Sequence, residues 1–329
     1  MPSKITGIDK PRVSAGDPLG RGGQWSPTIK PGEDVKFDDA PRSDRSEKVK
    51  GLLDDLEQNI QSIDSWDELA ERMAFYSQFH QYSSRNALLI YIQNPAASVV
   101  GSYKKMAEMG LQVRKGEKAM SVLAPLLVND KEHLDADGNP QKKLVGFKTV
   151  PVFDISQCDE IPGFEETHQS TIFKRARSKM APGEVPPGMR EAITKAIESY
   201  GYTVRGEDRS LLGATGLTIP SEKSVVFTST SSEIGQVGTL AHELGHIMLG
   251  HADAHHSGTP ADPNDHAIKE VAAEAVSYVL LNAWGVSNDQ NTADLYASSW
   301  SHGSNEIFRE AAKSVMGKID KLPWPDDPS

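Results

Sequence analysis

The stretch 239-TLAHELGHIMLGH-251 constrains this chain more than any other. His242, Glu243, His246 and His251 stand among Leu240, Leu244, Ile247 and Met248, an apolar spacing that predicts a helix with one buried side. Imidazoles and a carboxylate are costly in such a setting unless something pairs with them. A helix places residues i and i+4 on one face, so His242 and His246 can turn ring nitrogens toward one metal ion, with Glu243 beside it. Zinc hydrolases use this arrangement: two histidines hold the ion, and the neighbouring carboxylate takes a proton from the water that the ion activates. The expectation is one Zn2+ per chain, with His242 and His246 as ligands and Glu243 as the catalytic base.

A catalytic zinc needs a third protein ligand and an open fourth position. Downstream, 269-KEVAAEAVSYVLLNAWG-285 reads as a helix with Glu270 and Glu274 on one face. Ala272, Ala273, Val276, Val279 and Leu280 around them mark the helix as buried, and buried acids need partners. One glutamate can ligate the zinc while the other hydrogen-bonds a ligand histidine and fixes its tautomer. The strand-like 224-SVVFTST-230 before the first helix is expected to form the sheet edge along which a peptide substrate pairs. His251, His255, His256 and His266 read as surface histidines in or near the loop after that helix, and Tyr278 and His302 are further positions for stabilising an oxyanion.

Composition sets the surroundings. With Cys158 the one cysteine in 329 residues, an internal disulfide is excluded and a reducing compartment fits best. No secretory apolar region follows Met1, and no apolar run approaches the 18 or so residues of a membrane span, so a cytoplasmic protein without a membrane partner is expected. The net charge of −11 is unevenly spread. From Arg85 to Val128 there are six basic residues against two acidic, a balance of +4, whereas Glu233 to Ser329 holds 14 acidic against 5 basic, a balance of −9. The first region suits a polyanion and the second repels one.

Along the chain, residues 1–45 are rich in Gly, Pro, Ser and charge without apolar periodicity and read as a disordered tail. Helical patterns follow, with Leu52, Leu53, Leu56 and Ile60 assigned to one face, then a helix capped by Ser65 with Glu68 at capping-box spacing, then 83-SSRNALLIYIQN-94, which ends before Pro95. Strands are expected at 121–128 and 145–155, joined by a polar turn containing "DADGNP". The proline-rich segment 164–188 reads as a linker. The fold class is therefore α+β in two domains, 46–163 and 189–329.

Two resemblances join these readings. "TLAHELGHIMLGH" followed by "EVAAEAVSYVLL" is similar to the ImmA/IrrE-type and ArdC-type zinc metallopeptidases, which are zincin-like. That pattern implies Glu270 as the third ligand and Glu274 as the residue behind a ligand histidine. The blocks 82-YSSRNALLIYIQNP-95, 101-GSYKKMAEMGLQVRKGEKAMSVLAP-125 and 147-FKTVPVFDISQ-157 resemble the single-stranded-DNA-binding domain of ArdC-like antirestriction proteins, with Met106 where the family usually has Trp. Single-strand binding without sequence preference needs cations along the backbone and aromatics on which bases stack. Lys104, Lys105, Arg114, Lys115 and Lys118 supply the former and Tyr82, Tyr91 and Tyr103 the latter, with Arg85 and Asn86 in the first block. The function implied is a single-stranded-DNA-binding zinc metallopeptidase of a mobile element or phage, acting on a protein substrate in antirestriction. The peptidase expected is of the ImmA/IrrE or Sprt-like kind, and the rival readings are a DNA-coating protein with an idle peptidase site and an ImmA-like regulatory protease that cleaves a repressor.

Overall fold

The computed structural model describes residues 42–134, 139–161, 184–208, 215–251, 263–286 and 304–325. The tail reading for 1–41, most of the linker, and His255, His256 and His302 lie outside them. Within them the chain mixes helix and sheet. No helix among the described residues is long and apolar enough to cross a membrane.

Helix α1 (Arg42–Gln61) buries Leu56 against Leu88 and Leu89, with Leu52 and Ile60 packed at the rim. Leu53 departs from the expected stripe and is 42% exposed, because consecutive helical residues point about 100° apart. Helix α2 (Trp66–Gln78) starts at Ser65, whose hydroxyl accepts the Glu68 N–H. The Glu68 carboxylate reaches back to the N–H of Asp64, so two otherwise unpaired amides are satisfied.

Helix α3 (Ser84–Gln93) is capped by Ser83 and stops short of Pro95. The short elements β1 (Val100–Gly101), α4 (Tyr103–Glu108) and β2 (Leu111–Val113) lead into the long hairpin of β3 (Met120–Leu134) and β4 (Pro140–Asp154). β1 pairs with the end of β4, and β5 (Cys158–Glu160) pairs with β2. The hairpin runs beyond both expected strands, because its outer part carries no inward-facing apolar pattern and is held by mutual backbone pairing. Leu126, Leu127, Val128, Leu144, Val145 and Phe147 are all exposed there.

In the second half, α5 (Met189–Ser199) buries Met189, Ile193 and Ile197 at helical spacing. A three-stranded sheet follows, with β6 (Thr203–Glu207), β7 (Gly216–Ile219) and β8 (Ser224–Thr228) in the order β6-β8-β7. β8 is parallel to β6 and antiparallel to β7, so the strand expected at the edge is the central one. Its residues explain this: Val225, Val226 and Phe227 are buried on both faces, the pattern of an interior strand. Helices α6 (Glu233–Leu249), α7 (Pro263–Ala283) and α8 (Asn305–Val315) complete the half, followed by a short 3-10 turn at Ile319–Lys321.

The two halves share one interior. A single cluster of buried residues runs from Ile63 and Phe79 through Ile193 and Val225 to Val279 and Ile319. Helix α2 lies on α7, where the rings of Trp66 and Tyr278 meet edge to face at 5.9 Å. The C-terminal residues return to the N-terminal helices: Arg309 donates to the Ile63 carbonyl at 3.0 Å, and the Asp320 carboxylate accepts from the Tyr76 hydroxyl at 3.0 Å and the Ser84 N–H at 2.7 Å. Trp324 stacks on His80 with centroids 5.1 Å apart.

Candidate metal centre and nucleic-acid face

Helix α6 begins at Ser232, whose hydroxyl accepts the Gly235 N–H, and carries Glu233 in its first turn, where a negative charge favours the helix dipole. Val237, Leu240, Ala241, Leu244, Ile247 and Met248 are buried in the core. His242 and His246 face α7. Close approach of the two helices depends on Gly245: a Cβ there would lie 2.9 Å from the carbonyl oxygen of Ala273 and 3.0 Å from its Cα. Glycine opposite alanine brings the acidic face of α7 to the histidines.

His242 and His246 point their Nε2 atoms at each other across 3.1 Å. The Glu270 carboxylate completes the group, with Oε2 3.5 Å from His242 Nε2 and Oε1 3.4 Å from His246 Nε2. His242, His246 and Glu270 form a cluster whose donor atoms all lie within 4.8 Å of one another. Glu274, one turn further, lies behind His242 and contacts its Nδ1 at 3.2 Å. The helix geometry thus gives the two glutamates different nitrogens of the same ring.

Charge in the cluster is strongly coupled. Burial opposes a proton on His242, but the Glu270 and Glu274 carboxylates outweigh it and lift the ring to about 10. Burial and the positive charge on His242 press His246 down to about 3. Burial opposes ionisation of Glu270, yet its bond to His242 and the charges of His246 and His242 hold it at about 2. Two carboxylates converge on two rings, and the negative charge they bring favours a cation at the site.

Glu243 is buried and faces β7, where the Thr218 hydroxyl donates to its Oε2 at 2.6 Å. Burial raises its carboxyl above the ordinary range, against the opposing pull of His242 and Thr218. Thr218 had no signal in the sequence, since only the pairing of β7 with β8 sets it beside α6. His251, expected on the surface, is only 9% exposed, with Nδ1 3.1 Å from Nδ1 of His246. A sequence signal for it existed in Gly250, a helix-ending glycine that turns the next residue back. His266 sits at the rim, 3.9 Å from Glu270 Oε1. Tyr278 is buried in the shared core, edge to face on Trp66.

In the N-terminal half, Arg85, Tyr103, Lys104, Lys105, Lys115 and Lys118 are exposed. Tyr103 opens α4 directly before Lys104 and Lys105, and Lys104 lies 3.7 Å from Glu108. The other residues are engaged within the fold. The Tyr82 hydroxyl donates to the Val100 carbonyl at 3.0 Å, and burial pushes its pKa to about 12. Tyr91 packs edge to face on Phe75. Asn86 grips the outer edge of β3, donating to the Leu123 carbonyl and accepting its N–H, both at 2.8 Å. Gln93 does the same for Ser121, at 2.9 and 2.8 Å. Arg114 is exposed as well, but its guanidinium is spread over Glu117, Ser156 and Cys158. Met106 is fully buried in a small core with Leu111, Val113, Ile155 and Cys158.

Residues 45–153 match the family model of the N-terminal domain of anti-restriction factor ArdC. An uncharacterized Bacillus anthracis protein is 24% identical over 333 residues, covering 87% of this chain and 54% of that protein. Two Escherichia coli proteins named DNA primase TraC are each 28% identical across 70% of this chain, covering 16% and 22% of their own lengths. This chain therefore spans about half, or less, of the curated relatives it matches. Among solved structures, the antirestriction ArdC protein from R388 plasmid aligns in its metal-free form at 20% identity with a TM-score of 0.40, and in its Mn(II)-bound form at 21% with 0.43. Both alignments cover 73% of this chain and 83% of that one.

Proposed function

We propose that this chain is a zinc-dependent, zincin-like peptidase whose N-terminal half holds single-stranded DNA, acting in antirestriction for a mobile element. The observation that carries the reading is the convergence of His242, His246 and Glu270, with donor separations of 3.1, 3.4 and 3.5 Å. Ligands bound at zinc's usual distances in a tetrahedron lie about 3.3 Å from one another, so these side chains match one face of such a site. Two imidazole nitrogens and a carboxylate oxygen are also the donor set of catalytic zinc, which keeps its fourth position for water or substrate.

Bound there, zinc would supply Lewis acidity toward a peptide carbonyl and an activated water. Glu243 takes the proton of the attacking water and returns it to the leaving amine. Its burial favours the protonated form, and the Thr218 hydroxyl holds the carboxyl in one orientation. Glu274 keeps His242 in the tautomer that leaves Nε2 free to ligate. An extended peptide pairs along β7, the outer strand that bears Thr218.

The match of residues 45–153 to the ArdC model supports the antirestriction role and the DNA-binding half. Exposed cations around exposed Tyr103 suit a single strand better than a duplex. That match lies in the half proposed to hold DNA, and one other reading rests on that half alone: a DNA-coating protein whose peptidase site is idle. The purified full-length protein is expected to hold about one zinc per chain, and His246→Ala to abolish it. Stoichiometric zinc in that variant, or none in the wild type, would overturn the site.

A further inference from the structure

We propose that His251 is a positioning residue of the metal centre, which orients His246 by accepting the proton of its Nδ1; this rests on the metal-site reading above. His246 turns Nε2 toward His242 and Glu270, at 3.1 and 3.4 Å, so Nε2 is its ligand atom. A neutral imidazole that ligates through one nitrogen carries its proton on the other. Nδ1 of His246 is then a donor in a ring only 16% exposed, and a donor so placed needs an acceptor. Nδ1 of His251 lies 3.1 Å away.

The end of α6 builds this contact. Gly250 terminates the helix with φ of 78°, a backbone conformation that glycine adopts without steric cost. The N–H of His251 then donates to the His246 carbonyl at 2.9 Å, and that of Gly250 to Ile247 at 3.1 Å, the paired bonds of a glycine-terminated helix. This fold-back sets the two rings edge to face, 5.3 Å apart. The ligand histidines are thus oriented by different chemistry. His242 meets the Glu274 carboxylate, whereas His246 meets an imidazole. A neutral acceptor fixes the second ring without adding another carboxylate to a site that already holds Glu243, Glu270 and Glu274. While His251 accepts at Nδ1, its own proton sits on Nε2.

The test is zinc affinity of the full-length protein, measured by competition with a chromophoric chelator. His251→Leu removes the acceptor and keeps an apolar side chain of similar size, and should weaken zinc binding about 10 to 100-fold, the usual loss when a ligand's orienting partner is removed. His251→Gln, which keeps an acceptor oxygen, should recover most of that loss. Denaturation of the metal-free proteins should place both variants together, because the role concerns the ligand and not the core. If His251→Leu fails to fold, Gly250→Ala, which displaces the ring without deleting it, should weaken zinc binding in the same direction. Unchanged affinity in His251→Leu, or an equal loss in the Leu and Gln variants, would overturn the assignment while leaving the metal site intact. A wild-type protein that binds no zinc would overturn both.

Discussion

Gly245→Ala tests whether the contact between α6 and α7 sets the metal centre. The added Cβ would sit 2.9 Å from the Ala273 carbonyl oxygen and 3.0 Å from its Cα. Carbon atoms pack best at about 3.5–4.0 Å, so α7 must retreat by roughly half an ångström. Overpacking of this kind costs about 1–3 kcal/mol, whereas alanine in place of glycine inside a helix gains about 1 kcal/mol. The expected balance is a net loss near 1 kcal/mol. The retreat also lengthens the contacts of Glu270 and Glu274 with the histidines, now 3.2–3.5 Å, and should weaken zinc binding by about 10-fold. Urea denaturation of the metal-free protein and chelator competition measure the two effects. If the helix contact were irrelevant, the helix-propensity gain alone would remain. A variant about 1 kcal/mol more stable with unchanged zinc affinity would refute the reasoning.

Glu270→Ala should lose zinc more severely than Glu274→Ala, because the latter removes an orienting bond that is worth 10 to 100-fold, and the reverse ranking in metal analysis would exchange the two roles. Trp66→Ala should cost about 3–5 kcal/mol and lower the stability of both halves in one transition, as followed by calorimetry; two separate transitions would count against the shared interior. The full-length protein should bind single-stranded DNA better than duplex, with affinity falling steeply as salt rises. Replacing Lys104, Lys105 and Lys115 together should flatten that slope, and Tyr103→Ala should cost about 1–3 kcal/mol of binding, both read by fluorescence anisotropy. The intact chain is the right material, because the N-terminal half alone would expose the face that packs on α7.

What was legible in the sequence follows the range of the physics involved. The placement of His242, Glu243 and His246 depends only on helical periodicity, and the cap at Ser65 only on neighbouring amides, so a local pattern sufficed for them. The roles of Glu270 and Glu274 depend on how far α7 slides along α6, which Gly245 and Ala273 decide and no local pattern records. Thr218 reaches Glu243 through strand pairing, and the central place of β8 arises from the same non-local register. Tyr82 and Asn86 illustrate the converse. Their residue types suit a nucleic-acid surface, yet their polar ends are bonded to Val100 and Leu123 inside the fold. The shared interior was illegible for a related reason: Trp66 meets Tyr278 across most of the chain, and the proline-rich segment between them suggested separation.

The most direct test of the central claim is Glu243→Gln in the full-length protein. This change removes the proton acceptor and keeps the three proposed ligands, so zinc content and single-stranded DNA binding should match the wild type while cleavage of a DNA-bound protein is lost. The same variant, expressed in cells challenged with unmodified incoming DNA, should fail to protect it from restriction. Full protection by a Glu243→Gln protein that cleaves nothing would contradict the account and leave DNA coating as the function.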